Sequence, residues 1–215
     1  MAIEELHVGG SIRLKGPLRF RVIRVSGYFS VDGSVEGEEM DASGAANIDG
    51  SIIARSIDVS GVLRVSGDVL VDELSSSGTV KVARTIQAKK VKIAGRVKAE
   101  KIFANEAFLK GSMDVKEIHG VKIHVARGSK IHGSIVACEV TVDRDAEVES
   151  IYAKRVSVGR DVEVDTIEAE EVSIDKGAEI SVVRYIVKAD FDKNSKIDKI
   201  EKIEKVAKDI TYCNK

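Results

Sequence analysis

The chain has 215 residues, of which 43% are hydrophobic and 32% are charged, with 34 basic and 35 acidic side chains. This composition indicates a soluble, folded protein. Because the two signs nearly cancel and are interspersed, no basic field would attract nucleic acid or an anionic membrane. The start MAIEELHVGG is too acidic for a secretory signal, and no long uncharged apolar run could cross a bilayer, so we expect a cytoplasmic protein.

The cysteine content is low and gives a second expectation about location. Cys138 and Cys213 stand far apart in the sequence and fit neither a disulfide framework nor a zinc pattern. A reducing compartment therefore fits this cysteine content. The scarcity of Gln and Asn beside abundant Lys, Glu, Val and Ile favours a thermophilic source.

A glycine recurs every 17 residues through the first half of the chain, and a second glycine follows six residues later in several repeats. The first series is Gly10, Gly27, Gly44, Gly61, Gly78 and Gly95, and the second is Gly16, Gly33, Gly50 and Gly67. A fixed period indicates a repeat architecture. A phosphate-binding loop would instead need Gly-Lys-Ser/Thr leading into a helix. We therefore expect these glycines to turn corners that need a positive φ or a close backbone approach.

The period continues after the glycines thin out, carried by the pattern I-x-A-x-x-V-x-V, as in IQAKKVKI from Ile86 and IYAKRVSV from Ile151. The first residue of this unit recurs in steps of 16 or 17. It is found at Leu18, Val35, Ile52, Val69, Ile86, Ile102, Ile118, Ile135, Ile151 and Ile167. Each repeat holds three apolar pairs spaced i, i+2, which is typical of short half-buried strands. One repeat has the pairs Val80/Val82, Ile86/Ala88 and Val91/Ile93.

This pattern predicts an all-β fold, a parallel β-helix of about ten to eleven coils of 16–17 residues with three short strands per coil. A left-handed helix of hexapeptide repeats would need a strict 18 residues per coil, so the right-handed type is favoured. The β-helix is expected to occupy residues 1–187, because the next inward pair would be Lys188/Asp190.

Residues 188–215 change character and form the second predicted domain. Ile197, Ile200, Ile203, Val206 and Ile210 are spaced by three and four residues. This spacing predicts an amphipathic helix that begins after Asn194 or Ser195 as the N-cap. Three arrangements of this tail stay open: it covers the C-terminal coil or packs on a face, it pairs with another subunit, or it is mobile.

The residues that could carry chemistry are in ordinary repeat positions. The histidines are His7, His119, His124 and His132, and the densest acidic groups are Glu36, Glu38, Glu39, Asp41, Glu168, Glu170 and Glu171. We interpret both sets as solvated surface, and expect no metal and no cofactor. Enzymes that cut sugars on β-solenoids need corner insertions and aromatic platforms, whereas this chain has uniform repeats and no Trp. A carbohydrate or acyl-transfer enzyme is therefore the weaker alternative, and we expect no enzyme.

The ends of a parallel solenoid carry unpaired strand edges that can pair with another chain. A nearly pure solenoid of glycine-punctuated coils with alternating Val and Ile, covering Leu6 to Val187, resembles the bactofilins. The resemblance implies a right-handed β-helix that assembles end to end into nucleotide-independent filaments and scaffolds shape-determining or cell-envelope proteins. Bactofilins commonly carry an N-terminal membrane-binding segment, and MAIEELH is too short and acidic for that role. Membrane association is therefore not expected.

The expected partner is a second copy of the chain, which would meet it at the terminal coils. At the N-terminal end the contact would involve Ile12, Leu14, Leu18 and Phe20. A second contact would form only if the tail were displaced, through Ile180, Val182, Tyr185 and Phe191. If the tail covered the last coil, the protein would stop at a dimer that acts as a binding or adaptor module.

Overall fold

The computed structural model describes residues 2–210 and Cys213. Its 18 strands form parallel ladders, and the described residues contain no α-helix. The chain divides into two compact units, Met1–Ala104 and Asn105–Lys215. Each unit is a parallel β-solenoid, which confirms the predicted fold class at that level.

The first unit alternates long and short strands. In chain order these are β1 (Ala2–Val8), β2 (Ser11–Lys15), β3 (Leu18–Val25), β4 (Tyr28–Asp32), β5 (Val35–Ala42), β6 (Ala45–Asp49), β7 (Ile52–Val59), β8 (Val62–Val65), β9 (Val69–Ser76), β10 (Thr79–Val82), β11 (Thr85–Ile93) and the start of β12 (Arg96–Leu109). Each strand pairs in parallel with the second strand after it, as β1 does with β3 and β2 with β4. One long and one short strand therefore make one coil.

The second unit uses one long strand for each coil. These strands are β13 (Ser112–Val125), β14 (Lys130–Val142), β15 (Glu147–Val158), β16 (Glu163–Ile174), β17 (Glu179–Phe191) and β18 (Lys196–Lys202). Each pairs in parallel with the next. The turns between them repeat one conformation, with φ of 60° at Asp145, 56° at Asp161 and 76° at Gly177. Glycine and the short polar Asp are the residues that tolerate this left-handed region best.

The register confirms the repeat read from the sequence. Leu18 pairs with Val35, and Val35 pairs with Ile52 in the next coil. In the second unit Ile135 pairs with Ile151, and the pattern continues to Ile167. All these side chains are buried. The recurring first residue of the unit is therefore a column of the core, one side chain stacked on the next.

The three apolar pairs of a repeat all point inward, but they do not make three strands. Val80 and Val82 lie on the short strand β10, whereas Ile86/Ala88 and Val91/Ile93 share the long strand β11. In the second unit one strand carries all the inward pairs of its coil. The corner between two pairs bends the strand, and some corners carry a register shift, as between Asp114 and Glu117 on β13. The predicted three strands per coil are therefore two in the first unit and one in the second.

The glycines spaced by 17 are required for close approach between coils. A Cβ added to Gly61 would lie 2.0 Å from the carbonyl oxygen of Gly44, and one added to Gly44 would lie 2.1 Å from that of Gly27. No side chain fits at these distances. Gly33, in the second glycine series, also needs its positive φ of 134°.

The predicted C-terminal helix is wrong. Residues 188–191 continue β17, and residues 196–202 form β18. The predicted end at Val187 failed because of a bulge: Tyr185 pairs with Ala169 and Lys188 with Glu171, so β17 has one extra residue there. Ala189 and Phe191, rather than Lys188 and Asp190, follow the inward positions Val172 and Ile174.

The spacing of three that suggested a helix belongs to the solenoid itself. Ile197 pairs with Ile180 and Ile200 with Val183, and the same interval separates Val164 from Ile167 across a corner in β16. The coils of β17 and β18 extend the solenoid beyond the predicted boundary at residue 187, so the predicted coil count is not confirmed. The calls on residues 211, 212, 214 and 215 of the tail lie outside the described residues.

Candidate functional site

The first coil leaves the hydrophobic core open at one end. The inward side chains of β1 and β2 are the first members of the core columns. The next members of these columns lie on β3 and β4, which pair with β1 and β2. In four such pairs the first-coil side chain is half-buried while its second-coil partner is buried. The pairs are Ile3/Phe20, Leu6/Ile23, Ile12/Phe29 and Leu14/Val31. The four first-coil residues, called here the N-terminal apolar end, are core positions that no earlier coil in the described chain covers.

Ion pairs tie the first coil to the second beside this apolar end. Arg24 Nη1 lies 2.7 Å from Glu5 Oε1, and Arg21 Nε lies 2.5 Å from Glu4 Oε1. Hydrogen bonds from His7 and then Arg24 lower the pKa of Glu5 below its ordinary value. Glu4 and Glu5 on β1 thus already have partners within their own chain, whereas Ile3 and Leu6 on the same strand are only half covered.

A glycine also stands at the corner of the first coil. A Cβ on Gly10 would meet nothing within 4 Å, whereas a Cβ on Gly27, one coil later, would lie 2.0 Å from the carbonyl oxygen of Gly10. The first coil therefore offers the same backbone surface to an incoming coil that the inner coils offer to each other.

The structure separates the residues predicted for the N-terminal contact. Ile12 and Leu14 lie in the N-terminal apolar end. Leu18 and Phe20 lie one coil further in on β3, and both are buried. The sequence-based prediction of this contact omitted Ile3 and Leu6, which lie in the first coil with Ile12 and Leu14. Ile3 and Leu6 are three residues apart across a corner, and the same spacing recurs in later coils.

The residues predicted for the C-terminal contact are partly covered by β18. Ile180 is buried beneath Ile197, and Val182 and Tyr185 pair with Lys199 and Lys202. The ladder between β17 and β18 reaches Tyr185, and beyond it Val187 and Phe191 are 61% and 49% exposed. Ile200 on β18 is 42% exposed. Phe191 is therefore accessible, but the terminal position in the column of Ile180 belongs to Ile197 of β18.

The described residues after β18, which are 203–210 and Cys213, are called here the C-terminal segment. They lie against the outer side of the second unit. Val206 and Ile210 are buried against Val136 of β14, with Tyr152, Ile186 and Cys213 packed around them. Lys208 Nζ lies 2.6 Å from Glu117 Oε1 on β13, and this hydrogen bond raises the pKa of Lys208. The segment thus contacts earlier coils of the unit rather than the last coil alone.

The segment covers a column of outward-facing residues, called here the outer column. Register pairing stacks its members coil upon coil: His119, Val136, Tyr152, Glu168 and Arg184. Glu168 is a carboxylate that is only 5% exposed. It accepts hydrogen bonds from Arg184 at 2.7 Å and from the backbone N–H of Ala207 at 2.9 Å. Both donors compensate the loss of water around a buried charge.

Cys138 and Cys213 form a disulfide, which corrects the expectation drawn from the sequence. Their Cα atoms are 5.4 Å apart although 75 residues separate them in sequence. Spacing could not reveal this pair because it depends on the C-terminal segment returning to β14. Because the two cysteines are bonded, the cysteine content no longer supports a reducing compartment. The cytoplasmic location stays a prediction.

The remaining polar surface pairs charges instead of gathering them into a site. His124 Nε2 lies 2.8 Å from Asp143, and His119 Nε2 lies 3.3 Å from Glu117. Arg155 pairs with Glu139 and lowers the pKa of that carboxyl. No group of three or more His, Cys, Asp or Glu suited to a metal is found in residues 2–210 and Cys213. The four predicted surface histidines are thus not brought together.

These features define the class of the molecule as a parallel β-solenoid with half-covered terminal coils. Comparison of the chain with protein-family models, curated proteins and solved structures gives no match. The part of the chain that the structure describes includes no helix of the length and apolarity needed to traverse a bilayer. The resemblance to bactofilins therefore stays an expectation from the sequence.

Proposed function

We propose that this protein is a structural scaffold, similar to the bactofilins, that self-associates through its terminal coils into nucleotide-independent filaments. The observation that carries the proposal is the N-terminal apolar end. Four core side chains are half-exposed there, while their partners one coil inward are buried. An open end of this kind is a template for a further coil.

A coil from a second copy would complete this end with the bonds that already join the inner coils. Strands in a sheet stack about 4.8 Å apart. An incoming coil at that distance would pair with the far edges of β1 and β2 and would cover Ile3, Leu6, Ile12 and Leu14. Gly10 would then make the close contact that Gly27 makes in the coil below. Neither nucleotide nor metal enters these contacts.

The C-terminal coil supports growth in the same way. The C-terminal segment packs on the outer column and leaves Ile200 and Phe191 exposed. Contact between unlike ends would continue the ladders in parallel and build a polar filament, whereas contact between like ends would give a two-fold dimer. We propose the filament as the main product. Right-handed winding, as expected for parallel crossovers, a cytoplasmic location and envelope or shape-determining client proteins belong to this proposal.

Electron microscopy and sedimentation of the purified protein without nucleotide test the proposal. We expect filaments from the natural chain and short species from Ile12→Arg or Leu14→Arg, because a charge at the apolar end would be desolvated on stacking. Ile53→Arg is the matched control, since Ile53 is 50% exposed on β7, away from the first coil. Globular monomers of the natural chain across a range of salt and concentration would refute filament formation. A species that stops at the dimer would favour the adaptor alternative.

Gly10→Ala tests the register of the contact. The added methyl meets nothing within the chain, so the folded monomer should keep its stability. If an incoming coil stacks as the inner coils do, the same methyl would collide with its carbonyl oxygen and assembly should be lost. Filaments that form equally well from Gly10→Ala would exclude this register.

A further inference from the structure

The C-terminal segment is held by the disulfide and by contacts of its side chains, outside the strand ladders. Its residues 204–210 lie outside the strands. Val206 and Ile210 supply its buried apolar contacts, and Lys208 supplies an ion pair to Glu117. A segment outside the strand ladders of a solenoid opens more readily than its core strands.

The surface beneath the segment has its own recognition chemistry. Val136 and Tyr152 give it an apolar centre, while Glu117 and Glu168 place carboxylates beside that centre. The segment matches this surface with two apolar residues four positions apart, a lysine between them and a backbone N–H that points at Glu168. The surface therefore fits a short apolar peptide that carries a cation.

Release of the segment would leave this surface incomplete. Val136, which is fully buried, would lose the side chains of Val206 and Ile210. Glu168 would lose the donor at Ala207 and keep Arg184. Both losses favour renewed occupation by a peptide of the same chemistry, and every other copy of the chain carries such a peptide.

We propose that the outer column is a docking surface for the C-terminal segment and that, once the Cys138–Cys213 disulfide is reduced, it accepts this segment from a second copy of the chain. Exchange of an identical segment makes the same contacts as before, so it costs little beyond association. The result is a lateral link between chains. It uses a surface separate from the terminal coils and does not rest on end-to-end assembly.

The covalent chemistry of the link is thiol–disulfide exchange. A dithiol reductant opens the disulfide, giving two protein thiols and an oxidised, cyclic reductant. Glutathione disulfide then forms a mixed disulfide with Cys138 and releases one glutathione thiolate. The Cys213 thiolate of a second copy attacks the Cys138 sulfur, forms the interchain S–S bond and expels the second glutathione thiolate.

Two full-length single-cysteine variants test the exchange. Cys138→Ser keeps the thiol of the segment, and Cys213→Ser keeps the thiol of the docking surface. The reduced variants are mixed in equal amounts in a glutathione redox buffer, and non-reducing electrophoresis measures the disulfide-linked dimers. Circular dichroism first checks that both variants keep the strand signal of the natural chain. Both variants also carry Ile12→Arg, which removes the proposed end contact. A failure of segment exchange is then distinguished from a failure of end-to-end assembly.

We expect the Cys138–Cys213 heterodimer to exceed the two homodimers together by about 10-fold, whereas random collision would give equal amounts. Lys208→Glu in the Cys138→Ser chain should abolish this excess, because it places a like charge against Glu117. Lys205→Glu is the matched control, since Lys205 is exposed on the same segment, and it should keep the excess. A statistical mixture, no dimers at all, or equal losses from both charge reversals would overturn the proposal.

Discussion

The backbone N–H of Ala207 donates a hydrogen bond of 2.9 Å to Glu168, joining the C-terminal segment to a buried carboxylate on β16. Glu168→Ala removes the acceptor and leaves this N–H without its partner. We expect faster amide hydrogen exchange at Ala207 and a loss of about 1–3 kcal/mol of stability, as for other buried hydrogen-bonded groups. Glu163→Ala, at an exposed carboxylate of the same strand, is the control. Unchanged exchange at Ala207 in Glu168→Ala would contradict the role given to this bond.

The disulfide should stabilise the second unit by restricting the unfolded chain. For a sequence separation of 75 residues, the chain-entropy model gives an upper value of about 4.5 kcal/mol. Cys213→Ser should lower the free energy of unfolding by about 2–4 kcal/mol, measured by denaturant unfolding without reductant. Cys138→Ser should cost about as much, and the double variant should cost no more than either single one. Additive losses would show that the cysteines act separately.

The close approach at the glycine corners predicts a contrast between two identical substitutions. In Gly61→Ala the added methyl carbon would lie 2.0 Å from the carbonyl oxygen of Gly44. The two coils must therefore shift apart. We expect a loss of about 1–3 kcal/mol, as for other overpacked sites. Gly10→Ala, at the same corner of the first coil, should leave thermal unfolding of the monomer unchanged. Equal effects of the two substitutions would argue against coil contact as the reason for glycine.

The inward columns should dominate the stability of the first unit. Leu63 on β8 is fully buried, whereas Leu70 on β9 is 43% exposed. Leu63→Ala should cost about 2–5 kcal/mol in chemical denaturation, because it leaves a cavity between two coils. Leu70→Ala should stay within about 0.5 kcal/mol of the natural chain, as surface substitutions do. Similar losses at both sites would contradict the assignment of inward and outward faces.

Acid should weaken the ion pair between Glu139 and Arg155. Arg155 lowers the pKa of Glu139 in the folded chain, so its contribution is present above the unfolded pKa and is lost as pH falls through the folded value. Arg155→Gln should therefore lower the thermal midpoint at pH 7, and the difference from the natural chain should shrink below the ordinary carboxyl pKa of about 4.3 and vanish below the lowered pKa of the folded chain. The effect should be small because both side chains are accessible to solvent. A difference that persists unchanged in acid would exclude this cause.

The candidate sites were only partly predictable. Ile12 and Leu14 are predicted from the sequence at the N-terminal contact, and the structure places both in the half-buried first coil. Leu18 and Phe20 are also predicted at the contact, whereas they lie on β3 in the second coil and are buried; the recurring unit is first recognised at Leu18, although β1 begins at Ala2. The disulfide and the outer column could not be predicted, since both depend on the C-terminal segment returning to the second unit.

The sequence by itself determined the repeat, its period, its inward columns and the parallel solenoid. These follow from local rules, because a one-residue slip would turn every inward side chain outward, as the pairing of Ile135 with Ile151 illustrates. Only the tertiary structure decided the conformation of the described residues after 187, which continue the strands through β18 and then pack on the second unit. A spacing of three residues is common to a helix face and to a solenoid corner, so the spacing alone does not distinguish the two, and the pairing with residues distant in sequence decides between them. Ile197 lies against Ile180 and Val206 against Val136, and contacts between such distant positions leave no local signature in the sequence.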